Sequence, residues 1–226
     1  MKKIGVFGGT FDPIHNAHLL LAEQAREALD LERVIFVPAK APPHKRAGGL
    51  APAANRLHMV RLATKRNPCF AVSDIELRRR GPSYTIDTIR ALKRRHGGDA
   101  RLYFLIGGDT IGELPSWRSI RTLAKLCEIV PLTRPGTLAP RMGVLAKAIG
   151  KKEARTLLGR LINIPLMDIS ATDIRRRVAE KRSIRYLVPE VVREYILRKG
   201  LYRKRARPSR RTTARGKSCG GKSRRA

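Results

Sequence analysis

Short apolar runs typical of buried strands alternate along the chain with segments of helical periodicity. Strands are predicted at residues 4–7, 33–38, 70–72, 102–106, 127–132 and 162–167. Helices are predicted at residues 16–29, 53–65, 83–95, 170–180 and 189–200, and a short helix is predicted after Trp117. Residues 133–150 are expected to be a connection that holds one helix. Such alternation implies right-handed crossovers. The pattern therefore predicts an α/β fold with a doubly wound, mostly parallel sheet and a C-terminal helical portion.

The first predicted strand leads into a glycine turn and then into a helix. Gly8 and Gly9 are expected to form the turn, and Thr10 follows them directly. This order predicts a phosphate site, because glycines let backbone N–H groups approach an anion and a helix start adds unpaired donors. His15 and His18 are three residues apart, which places both imidazoles on roughly one face beside that anion.

A second glycine turn follows the predicted strand at residues 102–106. It reads Gly107-Gly108-Asp109 and leads to a loop that carries Trp117, the only tryptophan. In doubly wound sheets, ligands bind outside the carboxyl ends of the strands. Both glycine turns lie at such ends, so we expect them to face one crevice. A lone tryptophan is usually a core residue, but on this loop Trp117 could instead stack on an aromatic ring.

The formal net charge of +31 is unevenly distributed. Residues 203–226 hold 11 Lys and Arg and no acid, whereas residues 1–202 hold 38 Lys and Arg against 18 acids. We therefore divide the chain into a folded domain, 1–202, and a basic tail, 203–226. The tail is expected to be disordered, because it has too few apolar residues to offset its ordering entropy. An anionic substrate would explain part of the positive charge of residues 1–202. The tail is expected to bind nucleic acid nonspecifically.

The three cysteines lie far apart, without CxxC spacing. This favours reduced thiols over a disulfide framework or a metal site. No apolar run is long enough to span a membrane, and no signal peptide opens the chain. These features predict a cytoplasmic protein without membrane contact.

Two of the motifs also have purely structural interpretations. His15 and His18 could ligate a metal, but no third His or Cys lies nearby in the sequence, so no metal site is predicted. They could also be capping or core histidines, although the preceding GGTFDP segment favours catalysis. Residues 169–175, ISATDIR, contain a capping box from Ser170 to Asp173, which alone would indicate only a helix start.

The segment GGTFDPIHNAH resembles the signature of the nucleotidylyltransferase superfamily, an (H/T)xGH motif on a Rossmann-like fold. Ala17 stands where that motif has glycine, and its methyl group is the smallest departure available. ISATDIR resembles the second phosphate-binding motif of the superfamily. Its helix N-terminus, opened by Ser170, would hold the outer phosphates, and Arg175 would add charge.

Three further segments narrow the resemblance to the nicotinate-nucleotide adenylyltransferase family. They are PPHK at 42–45, SYTIDTI at 83–89 and GGDTIGELPSW at 107–117, and they appear in this order within residues 1–202. Phosphopantetheine adenylyltransferases share the first motif but typically have Thr at the position of His15, and they lack the last two segments.

The resemblance implies transfer of the adenylyl group of ATP to nicotinate mononucleotide, with Mg²⁺ as cofactor. It implies catalytic roles for His18 and His15. The other implied contacts are Gly8, Gly9, Thr10, Lys45, Ser170 and Arg175 at the phosphates, Asp109 at the ribose, and Tyr84, Thr85 and Trp117 around the pyridine ring. The alternatives are nicotinamide mononucleotide or phosphopantetheine as acceptor, or nucleic-acid binding on this scaffold. The sequence leaves the oligomeric state open.

Preference for the acid over the amide is expected to arise at residues 83–86. With Ser83 as N-cap, the N–H groups of Tyr84, Thr85 and Ile86 would lack helical partners. A carboxylate accepts from such donors, whereas an amide turns its own NH₂ group toward them.

Deletion of residues 203–226 is expected to leave adenylyl transfer intact. The value of kcat/KM should stay within a few-fold of that of the full chain, since the tail holds none of the predicted site residues. Binding to random DNA or RNA should weaken, and its dependence on salt should become shallower as fewer counterions are released. A truncated protein that is folded but inactive would contradict the domain division.

Overall fold

The computed structural model describes residues 1–40, 50–133, 142–163 and 167–203, with the side chains of Asp109 and Asn163 excepted. Six parallel strands form one sheet in the order β3-β2-β1-β4-β5-β6. The strands are β1 Lys2–Gly9, β2 Arg33–Pro38, β3 Phe70–Val72, β4 Ala100–Gly107, β5 Glu128–Thr133 and β6 Ile162–Asn163. The predicted α/β class and parallel sheet are therefore confirmed.

Helices cover both faces of the sheet. They are α1 Asn16–Ala28, α2 Ala53–Thr64, α3 Ile75–Arg78, α4 Thr85–His96, α5 Ile120–Leu126, α6 Met142–Ile149, α7 Lys151–Leu158, α8 Ala171–Ala179 and α9 Glu190–Lys199. A 3₁₀ helix, Gly108–Ser116, follows β4. The final helix ends as predicted at Gly200, whose φ of 61° is the left-handed conformation that glycine adopts freely.

The central strand β1 pairs with β2 on one side and β4 on the other. Strand order reverses at this point, so the crevice between the carboxyl ends of β1 and β4 is where a doubly wound sheet binds ligands. The expectation that the segments after these two strands face one crevice is confirmed by this order.

Each sheet face has its own apolar core. One core packs α1, α2, α8 and α9 against residues such as Phe7, Phe36 and Leu105. The other packs α4, α5, α6, α7 and the 3₁₀ helix against Ile4 and Phe104. β1 contributes to both, with Ile4 and Val6 on one side and Phe7 on the other, because successive strand residues point to opposite faces.

Three details of the predicted elements are wrong or incomplete. Gly8 and Gly9 do not form a turn: they continue β1 and pair with Val37 and Pro38, because the neighbouring strand offers partners to its end. Helices α3 and α7 were not predicted, since each is short and is stabilised by packing. The two described residues of β6 lie within the longer strand predicted at 162–167, and residues 164–166 are outside the described part.

A buried arginine on α2 fixes the chain around the end of β1. Arg56 is 2% exposed, and its guanidinium donates to the carbonyls of Thr10 (2.6 Å), Ala39 (2.7 Å), Ala51 (3.1 Å) and Lys40 (3.2 Å). These carbonyls belong to the segments that follow β1 and β2 and precede α2. One side chain thus satisfies backbone acceptors of three segments, and the sequence pattern alone did not reveal it.

In the part of the chain that the structure describes, no helix combines the length and apolar character needed to cross a membrane. Cys69 and Cys127 are both free thiols. Burial raises the pKa of Cys127 to about 12, so this thiol stays protonated at neutral pH. Cys219 and the rest of the basic tail from residue 204 onward lie outside the described residues.

Replacement of Arg56 by Met should destabilise the protein by about 3 kcal/mol or more. The substitution keeps most of the apolar volume but leaves buried carbonyls without a donor. Urea unfolding at pH 7 measures the effect. Arg61→Met on the same helix is the matched control: its side chain is 55% exposed and pairs with Asp74 at 3.5 Å, so its loss should cost less than about 1 kcal/mol. Equal effects of the two substitutions would contradict the role of Arg56.

Candidate active site

The chain reverses direction between β1 and α1 through a short turn at residues 10–15. Phe11 has a φ of 48°, a left-handed conformation that is uncommon for a residue other than glycine. Its ring is buried, and a Cβ on Gly9 would lie 2.9 Å from it. Gly9 is therefore required by the close approach of Phe11, a reason that the sequence did not suggest.

The carboxylate of Asp12 is buried within this turn and bonds to two other segments. It is 2% exposed, and its Oδ1 accepts from the backbone N–H of Ala51 (3.1 Å) and from the hydroxyl of Tyr202 (2.6 Å). Burial and the adjacent carboxylate raise the pKa of Tyr202, so its hydroxyl keeps the proton that it donates. These bonds connect the turn to the segment that precedes α2 and to the C-terminal end of the folded domain.

The two histidines come together at the start of α1. His15 is the N-cap, with extended φ and ψ of −143° and 170°, and is 5% exposed. His18 occupies the first helical turn, and its ring stacks on that of His15 with centroids 3.7 Å apart and an interplanar angle of 29°. The prediction that both imidazoles share one face is confirmed. Ala17 between them is buried within the same turn.

A backbone N–H determines the tautomer of a neutral His18. The N–H of His15 donates to Nδ1 of His18 at 3.2 Å. Because Nδ1 acts as an acceptor, a neutral His18 carries its proton on Nε2, which is then a hydrogen-bond donor. The ring is held in place by edge-to-face contact with Phe11, at a centroid distance of 5.1 Å.

The second motif meets the first in space, as the resemblance implied. Ser170 is the N-cap of α8 and its Oγ accepts from the N–H of Asp173 at 3.1 Å, as predicted. Arg175 on this helix donates to the carbonyl of Asp12 at 2.7 Å and to Oγ1 of Thr172 at 3.2 Å. The start of α8 is thus fixed beside the turn that carries the histidines.

A cavity of about 490 Å³ opens on the other side of this turn. It lies between the ends of β1 and β4, the 3₁₀ helix and the start of α4. The predicted residues that line it are Gly8, Gly9, Thr10, Tyr84, Thr85 and Trp117. Trp117 is half-buried and meets the ring of Phe104 edge-to-face at 5.9 Å, so its position in the wall is fixed.

The start of α4 differs by one residue from the prediction. Tyr84, not Ser83, is the N-cap, and Oγ of Ser83 accepts from the N–H of Lys40 at 3.3 Å. Ser83 is held by the segment that follows β2, a long-range contact that a local capping rule does not anticipate. Helical bonding begins with Asp87 N–H to Tyr84 O, so among the described residues the N–H groups of Thr85 and Ile86 have no partner.

The cavity wall also holds a buried carboxyl group that sequence reasoning missed. Glu76 is 8% exposed and accepts from Oγ1 of Thr88 at 2.7 Å, and Arg79 donates to the same hydroxyl at 3.2 Å. Burial raises the pKa of Glu76, while these neighbours partly oppose the shift. Glu76 lies in the short helix α3, which the sequence pattern did not predict, so no local motif pointed to it.

Two predicted residues remain without a structural description of their side chains. Lys45 lies outside the described residues. Asp109 is in the first turn of the 3₁₀ helix, at the crevice end of β4, but its side chain is not described. Within the described ranges, no cluster of three or more His, Cys, Asp or Glu side chains is arranged to hold a metal.

A parallel α/β sheet with a crevice of this kind places the chain in the class of Rossmann-like nucleotide-binding proteins. The cytidylyltransferase-like family model matches residues 6–177. A probable nicotinate-nucleotide adenylyltransferase of Thermomicrobium roseum is 46% identical over 203 residues, covering 90% of this chain and 92% of the relative. A protein of the same description from Exiguobacterium sibiricum is 47% identical over 200 residues, covering 88% and 98%.

The fold is also similar to a solved structure. Nicotinic acid mononucleotide adenylyltransferase of Plasmodium falciparum, complexed with NaAD, has a TM-score of 0.70 at 19% identity, covering 89% of this chain and 98% of that one. The chain belongs to the cytidylyltransferase-like family and, within it, to the nicotinate-nucleotide adenylyltransferases.

The raised pKa of Glu76 predicts a pH-dependent stability difference from Glu76→Gln. The pKa of Glu76 in the native state lies above its ordinary value of 4.5, so the native state binds the carboxyl proton more tightly than the unfolded state does. The free energy of unfolding of the wild type, relative to Glu76→Gln, should therefore be highest near pH 4 and decrease as pH rises. Urea unfolding between pH 4 and 7 measures it.

Asp74→Asn serves as a control of opposite sign. The hydrogen bond from Arg78 lowers the pKa of Asp74, so the wild type should lose stability relative to this variant as pH falls. Parallel curves for wild type and Glu76→Gln across this range would contradict the assignment to Glu76.

Proposed function

We propose that this protein transfers the adenylyl group of ATP to nicotinate mononucleotide, giving deamido-NAD and pyrophosphate. The observation that carries the proposal is the position of the cavity. It contains an aromatic wall and the start of a helix, and it reaches the turn that leads to the stacked histidines. A pyridine nucleotide bound there would direct its phosphate toward that turn. The names of the relatives support the same acceptor.

The chemistry requires alignment more than proton transfer. The phosphate of the acceptor attacks the α-phosphorus of ATP, the bond to the β-phosphate oxygen breaks, and pyrophosphate leaves. The attacking phosphate is already ionised, so no general base is needed. Donors placed where negative charge develops lower the barrier. His18 fits this role because its Nε2–H is a donor in the neutral ring, and His15 orients it through ring stacking and its backbone N–H.

The leaving phosphates would lie between the two helix starts. The backbone of Gly8, Gly9 and Thr10 ends beside the N-terminus of α1, and Ser170 opens α8 beside Arg175. Two of the N–H groups of Arg175 bond to Asp12 and Thr172, which fixes the guanidinium while leaving further donors for a phosphate. Magnesium usually binds through substrate phosphates and few protein ligands, so we expect Mg²⁺ to enter with ATP.

The acceptor ring would occupy the cavity against Trp117. Tyr84 and Thr85 lie at the start of α4, where the N–H groups of Thr85 and Ile86 suit an anionic acceptor. The one-residue change of N-cap keeps these donors available, so the expected site of acid recognition moves only slightly. Lys45 and Asp109 stay predictions as phosphate and ribose contacts, as do the cytoplasmic location and the nucleic-acid binding of the tail.

His18→Ala should lower kcat at least about a hundredfold while the fold is kept. Loss of one preorganised donor to developing charge costs roughly 3–4 kcal/mol. Steady-state kinetics with saturating ATP measures the effect, and circular dichroism checks folding. His58→Ala is the control, because that ring is exposed on α2 and packs on Tyr195, with centroids 4.6 Å apart. Near-normal turnover by His18→Ala would remove this residue from the mechanism.

Incubation with ATP, Mg²⁺ and a panel of acceptors tests the function itself. The panel holds nicotinate mononucleotide, nicotinamide mononucleotide and phosphopantetheine, and pyrophosphate release is followed. We expect kcat/KM for the acid to exceed that for the amide at least about a hundredfold, because an amide leaves donors in the pocket mismatched. Comparable values for the two pyridine nucleotides would indicate a dual-specificity enzyme, and no release with either would overturn the proposed function.

A further inference from the structure

One arginine lies in the wall of the acceptor cavity. Arg118 follows Trp117 directly, and its Cζ is 4.6 Å from the centroid of the Tyr84 ring. Tyr84 is the N-cap of α4, so the guanidinium is held above the start of that helix by a cation–π contact. Among the described residues that line the cavity, Arg118 is the only Lys or Arg.

None of the described carboxyl groups forms an ion pair with Arg118. Two carboxyl groups, Glu76 and Glu113, line the same cavity. Glu76 is directed to Thr88, with Arg79 bonded to the same hydroxyl. Glu113 is exposed, and within the described ranges Arg118 forms no ion pair with either carboxyl group. The guanidinium is therefore placed by an aromatic ring while its N–H donors remain available to a ligand.

We propose that Arg118 determines the specificity of this cavity for an acceptor with a carboxylate on its ring. The inference rests on the proposed function and extends it from the backbone of α4 to a named side chain. The planar fork of arginine pairs with both oxygens of a carboxylate. A carboxamide is neutral and offers one oxygen, so it loses both the charge and the second bond.

The position of Arg118 favours the ring carboxylate over the acceptor's phosphate. The phosphate has to reach the α-phosphorus of ATP, and the ATP phosphates are assigned to the turn that follows β1. Trp117 and Tyr84 lie in the part of the wall formed by the 3₁₀ helix and α4. A pyridine ring stacked on Trp117 would thus bring its substituent, rather than its phosphate, toward the neighbouring Arg118.

The test compares acid and amide acceptors in four variants: Arg118→Gln, Arg118→Lys, Arg118→Glu and Arg121→Gln. Arg121 is a matched control three residues away, exposed, and bonded to the carbonyl of Lys147 at 3.0 Å. We expect Arg118→Gln to lower kcat/KM for nicotinate mononucleotide about tenfold and for the amide less than twofold. Arg118→Lys should be intermediate, and Arg118→Glu should reduce the preference further. Arg121→Gln should match the wild type.

Ligand binding provides a readout that does not depend on turnover. Trp117 is the only tryptophan, so a pyridine ring stacked on it should change the fluorescence. The Kd of the acid should rise about tenfold in Arg118→Gln, and that of the amide should hardly change. Because Arg118 is exposed, higher salt should weaken acid binding in the wild type more than in this variant.

The possible results distinguish a failure of the role of Arg118 from a failure of the proposed function. An unchanged acid-to-amide ratio in Arg118→Gln overturns the role of Arg118 and leaves the proposed function in place. A parallel loss with both acceptors also overturns it, because such a loss identifies a phosphate contact. A wild-type protein that uses neither pyridine nucleotide overturns the proposed function, and with it the specificity assigned to Arg118.

Discussion

The short reversal between β1 and α1 depends on two buried charged side chains, Arg56 and Asp12, that bond to several segments around it. Arg56 satisfies the carbonyls around the ends of β1 and β2, and Asp12 accepts from Ala51 and Tyr202. Burial lowers the pKa of Arg56, while the carboxylate of Asp12 opposes that shift. Neither charge is stable in this environment without its partners. The turn that carries the histidines is thus bonded to Arg56 of α2 and to Tyr202 of the C-terminal segment.

This constraint divides the crevice into two functional parts. On one side, the His18 ring lies against Phe11 and stacks on His15, and Arg175 lies beside Asp12. On the other side, the 3₁₀ helix and α4 form the cavity that holds Trp117. Both parts begin at the carboxyl ends of the neighbouring strands β1 and β4.

The strongly basic composition of the chain does not extend to the described lining of the cavity. The chain carries +31, yet one arginine and two carboxyl groups line the cavity in the described part of the chain. Burial raises the pKa of Glu76, whereas Arg118 is exposed. The cation and the backbone donors of the proposed acceptor site thus come from a few residues of the cavity wall and not from the overall basic composition.

The sequence by itself determined the alternation of strands and helices, the parallel sheet and the motifs around His15, His18, Ser170 and Trp117, because periodicity and short motifs are local properties. Only the tertiary structure decided that Gly8 and Gly9 continue a strand and that Tyr84 replaces Ser83 as N-cap, since partners from distant segments compete with local rules. It alone revealed Arg56, Glu76, Tyr202 and Arg118. Arg56 is buried among backbone acceptors, Glu76 is buried so that its pKa is raised, and Arg118 is exposed at the cavity. These differences depend on neighbours from distant segments, which no local pattern specifies.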